Sequence, residues 1–151
     1  LTAEKEAQRE VEVQQRRIID ELSAPVIELW DHLLMLPIIG SIDSESANQI
    51  TESLLQAVLD NQATVAVLDV TGVPIIDTDV ATHLLKTVRA AQMMGAEVII
   101  TGFSADAART LTQLGVDLSS VRTSGALKQG VAQALSLIGY RVSKTVEVYT
   151  F

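Results

Sequence analysis

Cysteine is absent from the 151 residues, which removes disulfides, thiolate catalysis and cysteine-ligated metal sites together. Aromatic residues make up only 3% of the chain. A core built from Val, Ile, Leu and Ala instead suits an α/β layer fold better than a β-sandwich. Basic side chains are also few: 11 Lys and Arg stand against 19 Asp and Glu, for a net charge of −8. They form no stripe, so neither nucleic acid nor an anionic membrane is a fitting partner. No apolar run nears the ~20 residues that span a bilayer. The opening LTAEKEAQREVEVQQRR is too charged for a signal peptide. We therefore expect a soluble, cytoplasmic protein. The chain opens on Leu1 rather than Met and reads as a piece of something longer.

Catalytic signatures are missing too. There is no phosphate loop of the GxxxxGK[ST] or GxGxxG kind, and no GxSxG nucleophile elbow. The two histidines fall in a turn (His32) and one turn into a helix (His83, among Ala81, Leu84 and Leu85). With no motif-marked partner, His83 reads as structural. Asp69, Asp77 and Asp79 can in principle offer oxygens to a divalent cation, but three acids over eleven positions match no known loop geometry. The sequence offers no enzyme, no cofactor site and no metal site.

What is present is a regular succession of elements. Leu1 to Ser23 has no Gly or Pro and reads as a helix. Val11, Ile18 and Leu22 share one of its faces, which Gln15 interrupts. That pattern leaves open a solvated helix docked on its own domain and a linker helix paired with a copy of itself. VIELW and LLMLPIIG read as a hairpin around Asp31-His32. Helices and strands then alternate: a helix from Asp43 with Ile50, Leu54, Leu55, Val58 and Leu59 on one side; a strand, Thr64 to Val70; a helix from Thr78 closed by Gly95; a strand, EVIITGF; a short helix, SADAARTLTQLG; a weak strand in VDLSSVR; and a helix, SGALKQGVAQALSLIG. The tail, Tyr140 to Phe151, alternates as VSKTVEVYTF and reads either as an extra edge strand or as an ordered extension. Repeated αβ units imply a mixed sheet with later strands parallel. The segments at Ser44, Thr78, Ser104 and Ser124 then gather at its carboxyl end, where such sheets carry function.

Each of those four hydroxyls is placed to cap a helix, its oxygen accepting a first-turn amide. Capping alone is a sufficient reason for them. A phosphoryl group at Thr78 would add roughly −1.5 to −2 charges. The helix amides favour that charge, while Asp77 and Asp79 oppose it. The local fold should survive, and the surface potential should change sharply. Val73, Ile75 and Ile76 suit either core or an exposed apolar docking patch.

The runs ELSAPVIELWDHLLMLPIIGSIDSESA, DVTGVPIIDTDVATHLL and MGAEVIITGFSADAARTLTQLGVDL resemble the STAS domain of the anti-sigma-factor antagonist superfamily. More narrowly, they resemble the C-terminal domain of RsbR-type stressosome scaffolds. The resemblance covers about Ile18 to Leu135. It implies the α/β STAS (SpoIIAA-like) fold: a mixed sheet with later strands parallel, after an N-terminal linker helix. Residues 1–23 would be that linker from a missing upstream sensor, 24–139 the STAS domain and 140–151 a C-terminal extension. The implied role is non-enzymatic. Such scaffolds co-assemble with a paralogous STAS protein, self-associate, and sequester a serine/threonine switch kinase whose release frees an alternative sigma factor. The family's two phospho-acceptors fall on Thr78 and Ser44, where better-known members carry threonine at the second. Asp77, Asp79, Val73, Ile75 and Ile76 would then form a partner surface. A small-molecule sensor with a pocket at the same end is the alternative reading, and a hydrolase using Asp69 and Asp77 ranks behind both.

Overall fold

A hairpin opens the described part of the chain. The computed structural model describes residues 25–145; the expected helix from Leu1 to Ser23 and the end of the tail, 146–151, lie outside the described residues. Strand β1 (Ile27–Trp30) turns at His32, whose φ is +70°, into β2 (Leu33–Ile39), antiparallel to it. The His32 ring Nδ1 lies 2.9 Å from the Gln62 carbonyl oxygen, so this histidine ties a turn. Helix α1 (Ser44–Asn61), β3 (Val65–Gly72), α2 (Thr78–Met93), β4 (Glu97–Thr101), α3 (Ala105–Gln113), β5 (Arg122–Ser124) and α4 (Leu127–Leu137) complete the order. The sheet runs β1-β2-β3-β4-β5, with β2 to β5 mutually parallel. The mixed sheet expected from the αβ repeat is the one found.

Central strands read as unbroken aliphatic runs because both of their faces are covered. Leu34, Leu36, Ile38, Ala66, Leu68, Val70, Val98 and Ile100 pack with Ile50, Leu54 and Val58 of α1, Val80, Leu84 and Val88 of α2, and Leu111 of α3. The alternate set, Leu33, Val65, Val67 and Ile99, packs against Ala134 of α4. Three helices therefore cover one face and one helix covers the other. Leu59, expected on the buried stripe of α1, is 65% exposed; the stripe it belongs to is narrower than the sequence suggested. Pro37 is tolerated inside β2 because pairing with β1 ends at Met35, leaving β2 an open side where a missing donor costs little.

Two close approaches fix the helices. Thr51 Oγ1 of α1 and Thr87 Oγ1 of α2 lie 2.7 Å apart. Thr87 is buried, so one hydroxyl donates to the other while the second donates to a carbonyl one turn back, at Ala47 or His83. On the opposite face, Gly130 lets α4 settle on β4: a Cβ there would collide with Thr101 Cγ2 and lie 3.7 Å from Ile99 Cγ2. Alanine in place of glycine gains about 1 kcal/mol in helix propensity. Overpacking costs about 1–3 kcal/mol and should win. Gly130→Ala is expected to lower the urea midpoint, and a variant as stable as the parent would contradict this contact.

Candidate functional site

The carboxyl ends of four parallel strands deliver four loops to one edge of the molecule, each leading into a helix, and three of those helices start on a side-chain cap. At α1 the cap is Asp43, with extended backbone (φ −112°, ψ −177°). Its Oδ1 accepts the Ser46 backbone N–H at 2.8 Å, and its own N–H donates to Ser46 Oγ at 2.9 Å. This reciprocal capping box satisfies two donors that the helix itself leaves over. At α2 the cap is Asp77, whose Oδ1 accepts the Val80 backbone N–H at 2.9 Å. At α3 it is Ser104, accepting the Ala107 N–H at 3.0 Å.

The sequence expectation that Thr78 and Ser44 themselves cap is therefore corrected. Each is the first helical residue, one position past the carboxylate that caps. The physical reason is that aspartate is as strong a cap as serine and stronger than threonine, and its charge also suits the helix dipole. Both Ser44 and Thr78 are exposed, and neither hydroxyl is spent on the cap. Ser104 caps as expected. Ser124 does not: it ends β5, and α4 opens at Leu127 behind Ala126, without a side-chain cap.

Around Thr78 the loop divides sharply. Ile75 is 70% exposed, while Val73 and Ile76 are 7% and 8% exposed. Val73 and Ile76 belong to the core cluster under α2, so their expected place in an exposed docking patch is overturned by burial. Ile75, Asp77 and Asp79 remain at the surface. A shallow depression beside them is lined by Pro74, Ile75 and Asp77 on one side and by Gly102, Ser104 and Asp106 on the other. Asp106 is paired with Arg109 at 2.6 Å, an exposed contact of small energetic weight.

Asp69 stands apart from the other acids. It pairs across the sheet with Thr101, in the alternation that faces α4. Its Oδ1 accepts from Thr101 Oγ1 at 2.8 Å and from Thr71 Oγ1 at 2.9 Å. Gly102, at φ +92°, closes over this cluster; a Cβ would collide with Thr71 Oγ1 and lie 2.7 Å from the Thr71 nitrogen. The three acids considered as cation ligands are thus not brought together, and among the described residues no group of three or more His, Asp or Glu is placed to hold a metal ion. This cluster was missed in the sequence because it depends on strand register. The Asp43 capping box has a local signal in the sequence, an aspartate followed three residues later by a serine.

The model of the STAS domain matches residues 24–134. The chain belongs to the STAS domain family. The chain is 36% identical over 128 residues to the RsbT co-antagonist protein RsbRA of Bacillus subtilis, spanning 85% of this chain and 47% of that protein. It therefore covers about half the length of that relative. Among solved structures, an RsbS variant from Moorella thermoacetica superposes with a TM-score of 0.65 at 26% identity, covering 76% of this chain and 97% of the other. A chain from a structure of the stressosome, a signal integration and transduction hub, gives 0.60 at 24% identity, over 77% of this chain and 100% of that one. At that identity the likeness is one of fold. Among the described residues of the STAS domain, no helix is long and apolar enough to cross a membrane.

Two measurements separate cap from hydroxyl. Asp77→Ala should cost about 1 kcal/mol of stability, and Thr78→Ala, away from the cap, less than about 0.5 kcal/mol; denaturant titration of both variants shows which residue caps. At α1 the Ser46 backbone N–H, and then its hydroxyl, hold the Asp43 carboxyl below its ordinary 3.8. A depressed folded pKa stabilises the protein above the unfolded value, and the stabilisation is lost as pH falls through the folded one. Stability should therefore decline below about pH 3.8, and less steeply in Asp43→Asn, which keeps a capping oxygen without the charge.

Proposed function

We propose that this STAS domain is a non-enzymatic regulatory scaffold of a stress-response signalling complex. It binds homologous STAS proteins and a serine/threonine switch kinase, and that kinase phosphorylates it on Thr78 and Ser44. Charge placed on these hydroxyls releases the kinase, which then acts on the pathway freeing an alternative sigma factor. The reading draws on the similarity to an RsbT co-antagonist and on the stressosome-like fold. One observation carries it: the exposed Thr78 hydroxyl follows a capping carboxylate that already holds the Val80 amide.

The physical consequence is separability. A phosphoryl group on a capping oxygen would disturb the bond that starts the helix. On the first helical residue it leaves that bond in place and meets the partial positive charge of the remaining first-turn amides. The added charge of roughly −1.5 to −2 is opposed by Asp77 and Asp79, so the local gain is small and the fold is kept. The change is felt outward instead. Ile75 projects beside the site, and an apolar surface seated on it would have to desolvate a dianion to stay. Ser44 repeats the arrangement behind Asp43. Ile75, Asp77 and Asp79 form the exposed partner surface in this reading.

Incubation with a switch kinase and Mg-ATP should add one and then two phosphates by intact mass. Thr78→Ala and Ser44→Ala should each remove one, and the double variant both, with unfolding midpoints close to the parent. Undiminished phosphate incorporation into the double variant would refute the assignment.

A further inference from the structure

Helices α1 and α2 lie side by side on one face of the sheet. They run in the same direction, since each returns from the carboxyl end of one parallel strand to the start of the next. Their buried stripes point inward at the strands, which leaves two outer faces turned to solvent. Away from the hydroxyl pole those faces carry opposite charge. From Ser44 to Asn61, α1 holds no Lys or Arg, and its Glu52 and Asp60 are exposed. Along α2, Lys86 and Arg89 are exposed, and the ion pairs of the described residues, Asp106–Arg109 and Glu97–Arg122, use neither. In a chain of net charge −8, two neighbouring cations without a carboxylate among the described residues mark a surface that an acidic element would complete.

Two large apolar side chains stand on the same faces. Met93, 89% exposed, ends α2, and Leu59 projects from the last turn of α1. The Thr51–Thr87 contact gives both helices a common level, from which each residue rises by about 1.5 Å. Glu52, Lys86 and Arg89 all fall within about 3 Å of that level, and Leu59 and Met93 lie about 12 Å and about 9 Å beyond it. Acid and base are therefore matched in height, and so are the two apolar side chains.

We infer that the outer faces of α1 and α2 form a two-fold interface between two copies of this chain. A two-fold axis parallel to the helices, above the seam between them, sets α1 of each copy on α2 of the other. Glu52 then meets Lys86 and Arg89, Leu59 meets Met93, and each contact occurs twice. An axis across the helices would instead set α1 on α1, acid on acid. Toward the hydroxyl pole Glu45 comes over Asp79, both acidic, so the copies part there and Ser44 and Thr78 stay open. The two outer faces together measure about 20 by 25 Å, short of the ~800 Å² per partner of a standard interface, so the pair is reversible. It gives the association of STAS domains proposed above a contact surface, and as a functional contact it rests on that reading.

Sedimentation of the 151-residue chain over a range of micromolar concentrations should show a monomer–dimer equilibrium. Glu52→Lys places three cations along the seam, and Lys86→Glu with Arg89→Glu places three carboxylates there. Each change alone should weaken dimerisation about tenfold or more. An equimolar mixture of the two variants should recover a mixed dimer of parental affinity. A parent that stays monomeric, a dimer unmoved by either change, or variants that fail to recover on mixing would each overturn the inference. Phosphate incorporation by a switch kinase, measured on the same chains, reports separately on the proposed function. It should be equal in all of them, and its absence from the parent would fail that reading whatever the dimer does.

Discussion

A carboxylate placed one residue before a hydroxyl is the constraint on which this site depends. A helix must satisfy its first backbone donors, and whichever side chain does so is committed to that work. In this STAS domain the commitment falls on Asp43 and Asp77. Ser44 and Thr78 are thereby released, yet stay at the positive end of a helix. Had the hydroxyls capped, modifying them would have traded helix stability for signal. Because the aspartates cap, a group added to either hydroxyl, as we propose, would change what the surface presents while the capping bond stayed in place.

The rest of the fold holds that arrangement still. Loops at the carboxyl ends of β2 and β3 owe their spacing to a parallel sheet buried on both faces, and the α1–α2 pair is pinned by the Thr51–Thr87 hydroxyl contact. Burial of Val73 and Ile76 under α2 anchors the loop on both sides of Ile75, so one apolar side chain projects from a fixed backbone. The Asp69–Thr71–Thr101 cluster and Gly102 lock the adjacent strand ends from the other face. Distinct poles follow from the topology: helix starts and their hydroxyls at one, the β1 edge and the end of α4 at the other.

Much of this was legible in the chain. Alternating αβ periodicity gave the parallel sheet, the apolar runs around Asp31-His32 gave the hairpin, and the gathering of Ser44, Thr78 and Ser104 at one end followed from handed crossovers alone. The errors have a common physical origin. Choosing between Asp77 and Thr78 as cap turns on a one-residue difference in where helical dihedrals begin, and both side chains satisfy the same rule. The run Val73-Pro74-Ile75-Ile76 is apolar throughout, so composition cannot say which member turns inward; the packing of α2 decides it. Ser124 looked like a helix start because a serine-glycine pair precedes an apolar stretch, yet β5 extends to it and the helix opens three residues later. The Asp69–Thr101 bond depends on register between strands 32 residues apart, information no local pattern carries.

Amide exchange at Val80 and Ala81 in chains phosphorylated on Thr78, against unmodified chains, tests the central claim most directly. With Asp77 still capping, protection of the first turn of α2 should agree within about threefold between the two forms. Loss of that protection on phosphorylation, with the first turn melting, would contradict the separation of scaffold from signal.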